Sequence, residues 1–127
     1  MPNDTISIRG LLHSDDTKVM LEALQHLSTA TFDWEEDGEV LHIVGCAGKL
    51  TPTNKELYLG NAGTASRFLT TVCTIVGHHL EPDKSEPTAL LRNHITITGN
   101  KRMQRRPIGD LVVALRENGD TFIYLCF

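Results

Sequence analysis

The sequence predicts a mixed α/β fold with the element order β-α-β-β-α-β-α-β. Residues 5–9 and 94–98 alternate apolar and polar side chains, as half-buried strands do. Residues 15–27 instead repeat apolar side chains at helical spacing, directly after Ser14, a residue type that favours the N-cap position. Asp37 followed by Gly38 interrupts a further alternating stretch, which indicates a hairpin. Together these patterns favour alternating strands and helices.

The remaining elements follow from periodicity and turn residues. Strands at residues 31–35 and 39–44 flank the hairpin turn, and the Gly-, Lys- and Thr-rich residues 45–56 predict a loop. A second helix at residues 64–76 is rich in β-branched side chains, so packing must stabilise it. A surface loop at 77–92 and the strand at 94–98 follow. The next helix has Pro107 in its first turn, an apolar stripe that starts at Ile108, and Gly119 as its C′ residue. A strand at 121–126 is the last predicted element.

The composition is that of an ordinary globular domain. The 127 residues are 40% hydrophobic and 22% charged, which allows one domain with its own core. The net charge of −4 argues against general nucleic-acid binding, and neither a membrane-spanning run nor a secretory signal is present. The three cysteines (Cys46, Cys73, Cys126) form no CxxC pair and the six histidines are scattered, so we expect free thiols, no metal and a cytoplasmic location.

The most informative motif is the turn Gly60-Asn61-Ala62-Gly63-Thr64, which joins a short apolar strand signal to the second helix. The first amides of a helix have no internal partners and lie at the positive end of its dipole, so this arrangement predicts an anion site. It matches neither a Walker A loop nor a dinucleotide-binding fingerprint. The alternative interpretation is an ordinary helix start with favourable turn residues.

A second cluster, residues 101–107, is strongly basic although the chain as a whole is acidic. A local basic cluster suits a small anion better than a polyanion, and a guanidinium can bind a carboxylate or a phosphate with two hydrogen bonds. The alternative is a solvated basic turn before a helix. Arg67 carries a further charge that either reaches the anion or pairs with a nearby carboxylate. Asp15 and Asp16 are interpreted as helix-capping residues, and Trp34 as a packing residue of the hairpin.

Three segments, residues 10–17, 59–71 and 98–112, together resemble consecutive blocks of 5-enolpyruvylshikimate-3-phosphate synthase, the enolpyruvyl transferase of the shikimate pathway. The sequence around Arg67 is most similar to that of the synthase domain of the fungal pentafunctional shikimate-pathway polypeptide. Phe68 stands where many bacterial relatives have proline, and we expect its side chain to pack.

The resemblance implies a fold of repeated βαβαββ units in two halves. Residues 1–50 would form a partial unit of the first half, and residues 51–127 would form the beginning of a unit of the second half. The implied reaction moves the enolpyruvyl group of phosphoenolpyruvate to the 5-hydroxyl of shikimate 3-phosphate, without metal or organic cofactor. The residues that would bind phosphoenolpyruvate are Asn61, Ala62, Gly63, Thr64 and Arg106, with Arg67 and Arg102 as further candidates and no catalytic residue in this chain.

The resemblance also implies that the chain is an N-terminal-region fragment. Shikimate 3-phosphate would then bind only if missing regions were supplied, and the chain alone would be inactive. Two alternatives remain open. The chain could be a catalytically dead derivative that acts as a binding or interaction module, or a truncated product without a function of its own. Exposed apolar faces would allow self-association, whereas neither nucleic acid nor membrane is an expected partner.

Overall fold

The computed structural model describes residues 4–78 and 95–119. Its strands are β1 (Thr5–Arg9), β2 (Thr31–Glu35), β3 (Val40–Val44), β4 (Leu57–Tyr58) and β5 (Ile97–Thr98), and its helices are α1 (Asp15–Leu27), α2 (Gly63–His78), α3 (Lys101–Gln104) and α4 (Gly109–Glu117). The part of the predicted surface loop from residue 79 onward, His94, the predicted strand at 121–126 and Cys126 all lie outside the described residues.

A three-stranded antiparallel sheet in the order β1-β3-β2 confirms the predicted first strand and hairpin. Leu41 of β3 lies between Ile8 and Trp34 in the register. The hairpin turn places Asp37 at φ 53° and Gly38 at φ 91°, left-handed conformations that Asp and Gly tolerate better than most residues. Trp34 packs against the ring of His13, with the ring centroids 4.6 Å apart.

Helix α1 begins and ends at the predicted residues. Its N-cap, Ser14, accepts a hydrogen bond at Oγ from the amide of Thr17 (3.1 Å). Asp15 and Asp16 lie in the first turn, where carboxylates offset the positive end of the helix dipole, as predicted. The helix buries Ala23 and Leu27 on one side, and this side faces the hydrophobic core.

The core joins α1 to β4 and α2. Its buried members are Ala23, Leu27, Leu57, Leu59 and Leu69, and Ile97 of β5 packs against them. β4 and β5 pair in parallel, with Leu57 opposite Ile97. This core contains residues from both sides of position 50, and the assignment of residues 1–50 and 51–127 to different halves of a larger fold stays a prediction.

The structure differs from the sequence-based assignment in several elements, including the start of β3 at Val40 and of α2 at Gly63, each one residue from the predicted start. Among residues 95–98, which the structure describes, the predicted strand is limited to Ile97–Thr98, which pair with the two residues of β4. Gly77 and His78, predicted as loop, continue α2. The basic cluster contains a short helix, α3, which was not predicted, and Asn100 caps it. Pro107 precedes the N-cap Ile108 rather than lying in the first turn of α4, and its carbonyl oxygen accepts a hydrogen bond from Arg67.

The expected packing of Phe68 is wrong, because 64% of this residue is exposed. Successive helix residues are about 100° apart around the axis, and the neighbouring Leu69 occupies the core-facing position. Gly119, at φ 97°, confirms the predicted end of the last helix. Within residues 4–78 and 95–119, no helix has the length and apolar character needed to cross a bilayer.

Replacement of Leu59 by alanine tests the importance of this core. Leu59 is fully buried, so Leu59→Ala should lower the free energy of unfolding by about 2–5 kcal/mol through lost burial and a cavity. Leu12→Ala is the matched control, because Leu12 is 73% exposed and its loss should cost about 0.5 kcal/mol or less. Urea unfolding measures both variants, and equal destabilisation would contradict the described core.

Cys73 predicts a pH dependence of stability. Burial raises the pKa of its thiol from 9.0 to about 11, so the folded state disfavours the thiolate. The contribution of this thiol to the free energy of unfolding is therefore fully present below pH 9.0, and it falls as the pH rises towards about 11. Urea unfolding across this range should show a downward slope that is smaller in Cys73→Ala. The same slope in both proteins would show that this thiol does not cause it.

Candidate anion site at the start of helix α2

The turn before α2 leaves the first amides of the helix available. Gly60 adopts φ 55°, and the amide of Ala62 donates to the carbonyl oxygen of Leu59 (2.9 Å), which closes the turn. The first intrahelical bond runs from the amide of Ser66 to the carbonyl of Ala62 (3.0 Å). The amides of residues 63–65 precede that bond, so they have no acceptor within the helix. The first turn of α2 contains no acidic residue, and its positive end therefore favours an anion.

Backbone contacts hold the downstream block against this turn. The amide of Leu59 donates to the carbonyl oxygen of Thr98, and the amide of Asn100 donates to that of Gly60, both at 2.9 Å. Between these bonds lies Gly99, where an added Cβ would be 2.5 Å from the carbonyl oxygen of Gly60. The two segments approach so closely that a side chain at position 99 does not fit.

Helix α3 then directs the chain back towards α2. The Oδ1 atom of Asn100 accepts from the amide of Met103 (2.9 Å), which caps the helix, and the amide of Arg106 donates to the carbonyl of Met103 (3.0 Å). As a result, the Arg106 guanidinium lies against the backbone of Gly63. A Cβ at Gly63 would overlap Nη1 of Arg106 and lie 3.4 Å from its Cζ. Glycine at this position therefore leaves room for the guanidinium in the place that it occupies at the helix start.

Arg67 joins the two motifs. Its Nη1 donates to the carbonyl oxygen of Gly63 (3.2 Å), and its Nη2 donates to that of Pro107 (2.9 Å). It forms no ion pair with a carboxylate of the described residues, so the local pairing considered from the sequence is not found. Arg67 instead positions the segment that carries Arg106.

The other residues predicted to bind the anion differ in how exposed they are. Ala62 is buried, Asn61 and Thr64 are exposed at the turn, and Arg102 is exposed on α3. Arg106 is half-buried, and within residues 4–78 and 95–119 its side chain forms no ion pair. The structure thus brings a guanidinium and a free helix terminus together, whereas the geometry assigns Arg102 no contact with them.

A cleft of about 480 Å³ borders the same turn. Its lining includes Asn61, Asn100 and the carboxylates of Asp15, Asp16 and Glu22. These acids lie on α1, and two of them offset the dipole of that helix. The cleft therefore reaches the acidic start of α1 and the turn that precedes α2, whereas Gly63, Thr64 and Arg106 are not among its lining residues. Within the described part of the chain, no three His, Cys, Asp or Glu side chains cluster as metal ligands.

This arrangement coincides with a family-level match. The family model of EPSP synthase (3-phosphoshikimate 1-carboxyvinyltransferase) matches residues 2–124. The chain belongs to the EPSP synthase family. Both the Gly60–Gly63 turn and the block that carries Arg106 lie inside the matched range.

Individual relatives agree with this assignment. The chain is 57% identical over 112 residues to the pentafunctional AROM polypeptide of Yarrowia lipolytica, and 51% identical over 121 residues to that of Scheffersomyces stipitis. These matches cover 88% and 95% of this chain, but 6% and 7% of the two polypeptides. The predicted family and its fungal resemblance are confirmed.

Solved EPSP synthases from Acinetobacter baumannii share the fold. One superposes with a TM-score of 0.68 at 20% identity, and covers 95% of this chain and 24% of the synthase. Another gives a TM-score of 0.67 at 22% identity. The mixed α/β class and its likeness to part of the enolpyruvyl transferase fold are thereby confirmed. The chain spans about a quarter of the length of these synthases.

The sequence interpretation missed the roles of Gly99, Asn100 and Pro107. All three lie within the resemblance block of residues 98–112, and asparagine before a helix is a known N-cap signal. The close approach of Gly99 to Gly60 had no signal within either segment, because it depends on how two distant stretches meet. The same is true of the bond between Arg67 and Pro107.

Replacement of Gly99 by alanine should destabilise the protein. An added methyl group would meet the carbonyl of Gly60 and the side chain of Met103, and such overpacking costs about 1–3 kcal/mol. Gly109→Ala is the matched control, because a Cβ there meets nothing within 4 Å. Urea unfolding should show a loss for Gly99→Ala alone. Equal stability of the two variants would refute the close contact.

Proposed function

We propose that this chain supplies part of the phosphoenolpyruvate site of an EPSP synthase. Such a synthase transfers the enolpyruvyl group from phosphoenolpyruvate to the 5-hydroxyl of shikimate 3-phosphate. The observation that carries the proposal is the position of the Arg106 guanidinium against Gly63, at the start of α2. Family membership supports the reaction class, and the site geometry supports the role of these residues.

The chemistry of phosphoenolpyruvate fits this site. The molecule carries a carboxylate and a phosphate, and a planar guanidinium binds either group with two charge-assisted hydrogen bonds. Arg106 would hold one group, while the amides of Gly63 and Thr64 would donate to the same anion at the positive end of the helix. Asn61 adds a side-chain amide at the turn, and Ala62 closes the turn, because its amide donates to the carbonyl oxygen of Leu59.

Two arginines have supporting parts in this proposal. Arg67 would fix the distance between α2 and the segment of Arg106 through its two carbonyl bonds. Arg102, exposed on α3, would contribute to the attraction of an anion at longer range rather than bind it. A cytoplasmic location belongs to the same proposal, because Cys46 and Cys73 are free thiols.

Turnover requires more than this chain. Addition and elimination at the enolpyruvyl group need acid and base groups, and we assign none to the described residues. The chain covers 24% of a solved synthase, so shikimate 3-phosphate binding and catalysis would depend on other parts of the protein. The second candidate function is a catalytically inactive interaction module, which is favoured by the exposure of Phe68 and Ile75 on α2.

Titration of phosphoenolpyruvate into the purified chain tests the half-site. Backbone amide NMR signals of residues 60–67 and 102–107 should shift in a saturable manner, because the anion binds both segments. Arg106→Ala should weaken binding by roughly tenfold or more, since it removes a charge-assisted pair. Lys101→Ala is the matched control, because Lys101 is exposed and has no assigned contact.

The same sample should release no phosphate when shikimate 3-phosphate is added. Unchanged amide signals in a folded sample would refute the half-site. Equal weakening by Arg106→Ala and Lys101→Ala would show general charge attraction instead of a site. Product formation that depends on Arg106 would contradict the proposal that turnover needs other parts of the protein.

A further inference from the structure

The side chain of Ser66 lies in the first turn of α2 and is shielded from solvent. The residue is 6% exposed, and its Oγ atom donates to the carbonyl oxygen of Gly63 (2.9 Å). The same carbonyl oxygen also accepts a hydrogen bond from Nη1 of Arg67 (3.2 Å). Two side chains, one of them charged, therefore converge on a single backbone oxygen at the start of the helix.

This oxygen belongs to the peptide group that joins Gly63 to Thr64. A peptide group is planar, and in the trans form its carbonyl and its amide N–H point in opposite directions. The donors that hold the Gly63 oxygen therefore also set the direction of the Thr64 amide, which faces outwards from the first turn. That amide precedes the first intrahelical bond, from the amide of Ser66 to the carbonyl of Ala62, and has no acceptor within the helix.

Hydrogen bonds at one end of a peptide group also strengthen the other end. Donors at a carbonyl oxygen polarise the group, so that its N–H becomes a better donor in turn. A bond from a charged guanidinium is stronger than a bond from a neutral group. The contacts of Ser66 and Arg67 thus act on both the direction and the strength of the Thr64 amide. The guanidinium of Arg106 lies against Gly63, next to that amide.

We propose that Ser66 is a positioning residue of the phosphoenolpyruvate half-site. Its hydroxyl, together with Arg67, fixes the peptide group so that the Thr64 amide donates to the anion that Arg106 binds. This role rests on the proposed function, and it belongs to a residue that touches no ligand. Ser66 acts through the backbone, because its side chain is buried and its hydroxyl proton is already bonded.

Thr70 offers an internal comparison one turn further along the helix. It is also 6% exposed, and its Oγ1 atom donates to the carbonyl oxygen of Ser66 (2.7 Å). The peptide group of that oxygen carries the Arg67 amide, which lies beyond the first intrahelical bond and has an acceptor within the helix. The bond of Thr70 is therefore of the same kind as that of Ser66, but it does not act on an amide that is available to a ligand.

Titration of phosphoenolpyruvate into Ser66→Ala and its matched control Thr70→Val tests the proposal. Each variant removes one buried hydroxyl, and circular dichroism checks that each stays folded. Ser66→Ala should weaken binding by roughly three- to tenfold, in line with the loss of one hydrogen bond. It should also move the Thr64 amide NMR signal upfield in the free chain, because that N–H is less polarised. Thr70→Val should leave both the binding and the Thr64 signal unchanged.

A second variant keeps the hydroxyl. Ser66→Thr should bind phosphoenolpyruvate as the unsubstituted chain does, because a threonine hydroxyl can donate to a carbonyl of the preceding turn. Thr74 of the same helix already makes such a bond, to the carbonyl oxygen three residues earlier (2.7 Å). A loss in Ser66→Thr as large as that in Ser66→Ala would show that the hydroxyl is not the cause, and would refute the role.

The remaining outcomes separate this role from the half-site itself. Unchanged binding by Ser66→Ala would refute the positioning role, whereas a loss in Arg106→Ala alone would still support the proposed function. Equal weakening by Ser66→Ala and Thr70→Val would assign the effect to helix stability, and weaker binding with an unchanged Thr64 signal would assign it to another route. Both results would also refute the role. No saturable shift in the unsubstituted chain would overturn the proposed function, and the role of Ser66 with it.

Discussion

The close approach of two backbone segments is the constraint on which the rest of the site depends. The carbonyl oxygen of Gly60 accepts a hydrogen bond from the amide of Asn100. The two segments are so close that a side chain at Gly99 would meet the carbonyl of Gly60. This contact extends the two-residue pairing of β4 and β5, which is too short to fix the geometry by itself. It places α3 beside the start of α2, and α3 in turn directs Arg106 to Gly63. A wider gap at Gly99 would move the guanidinium away from the helix amides.

Helices α1 and α2 differ in the charge at their N-terminal ends. The start of α1 and the turn that precedes α2 border the same cleft, but α1 begins with Asp15 and Asp16 whereas the first turn of α2 has no acid. The core joins the helices through Leu27 and Leu69, so their relative position is fixed by packing. The carboxylates of α1 would repel an anion that approached their side of the cleft, and the positive end of α2 would attract it. This contrast, together with the Gly60–Gly63 turn, favours the start of α2 over the start of α1 as a place for an anion.

Local signals and long-range contacts explain what the sequence predicted and what it did not. The Ser14 cap, the Asp37-Gly38 turn and the stripe of α1 act over a few residues, and they located α1 and the hairpin correctly. Turn residues and helix-start amides indicated the turn, family resemblance selected Arg106, and the structure brings the two together. The exposure of Phe68 and the contact at Gly99 depend on which distant segments meet, and no local pattern encodes that.

The order of assembly follows from the separation of these contacts along the chain. The hairpin joins β2 and β3 across four residues, while Arg67 and Pro107 are 40 residues apart. Closing the longer loop costs more chain entropy, so contacts of this kind form slowly and the hairpin is expected to form before them. The candidate anion site is therefore expected to form late. A ligand that bridges both of its segments would bind the fully assembled state and shift the folding equilibrium towards it.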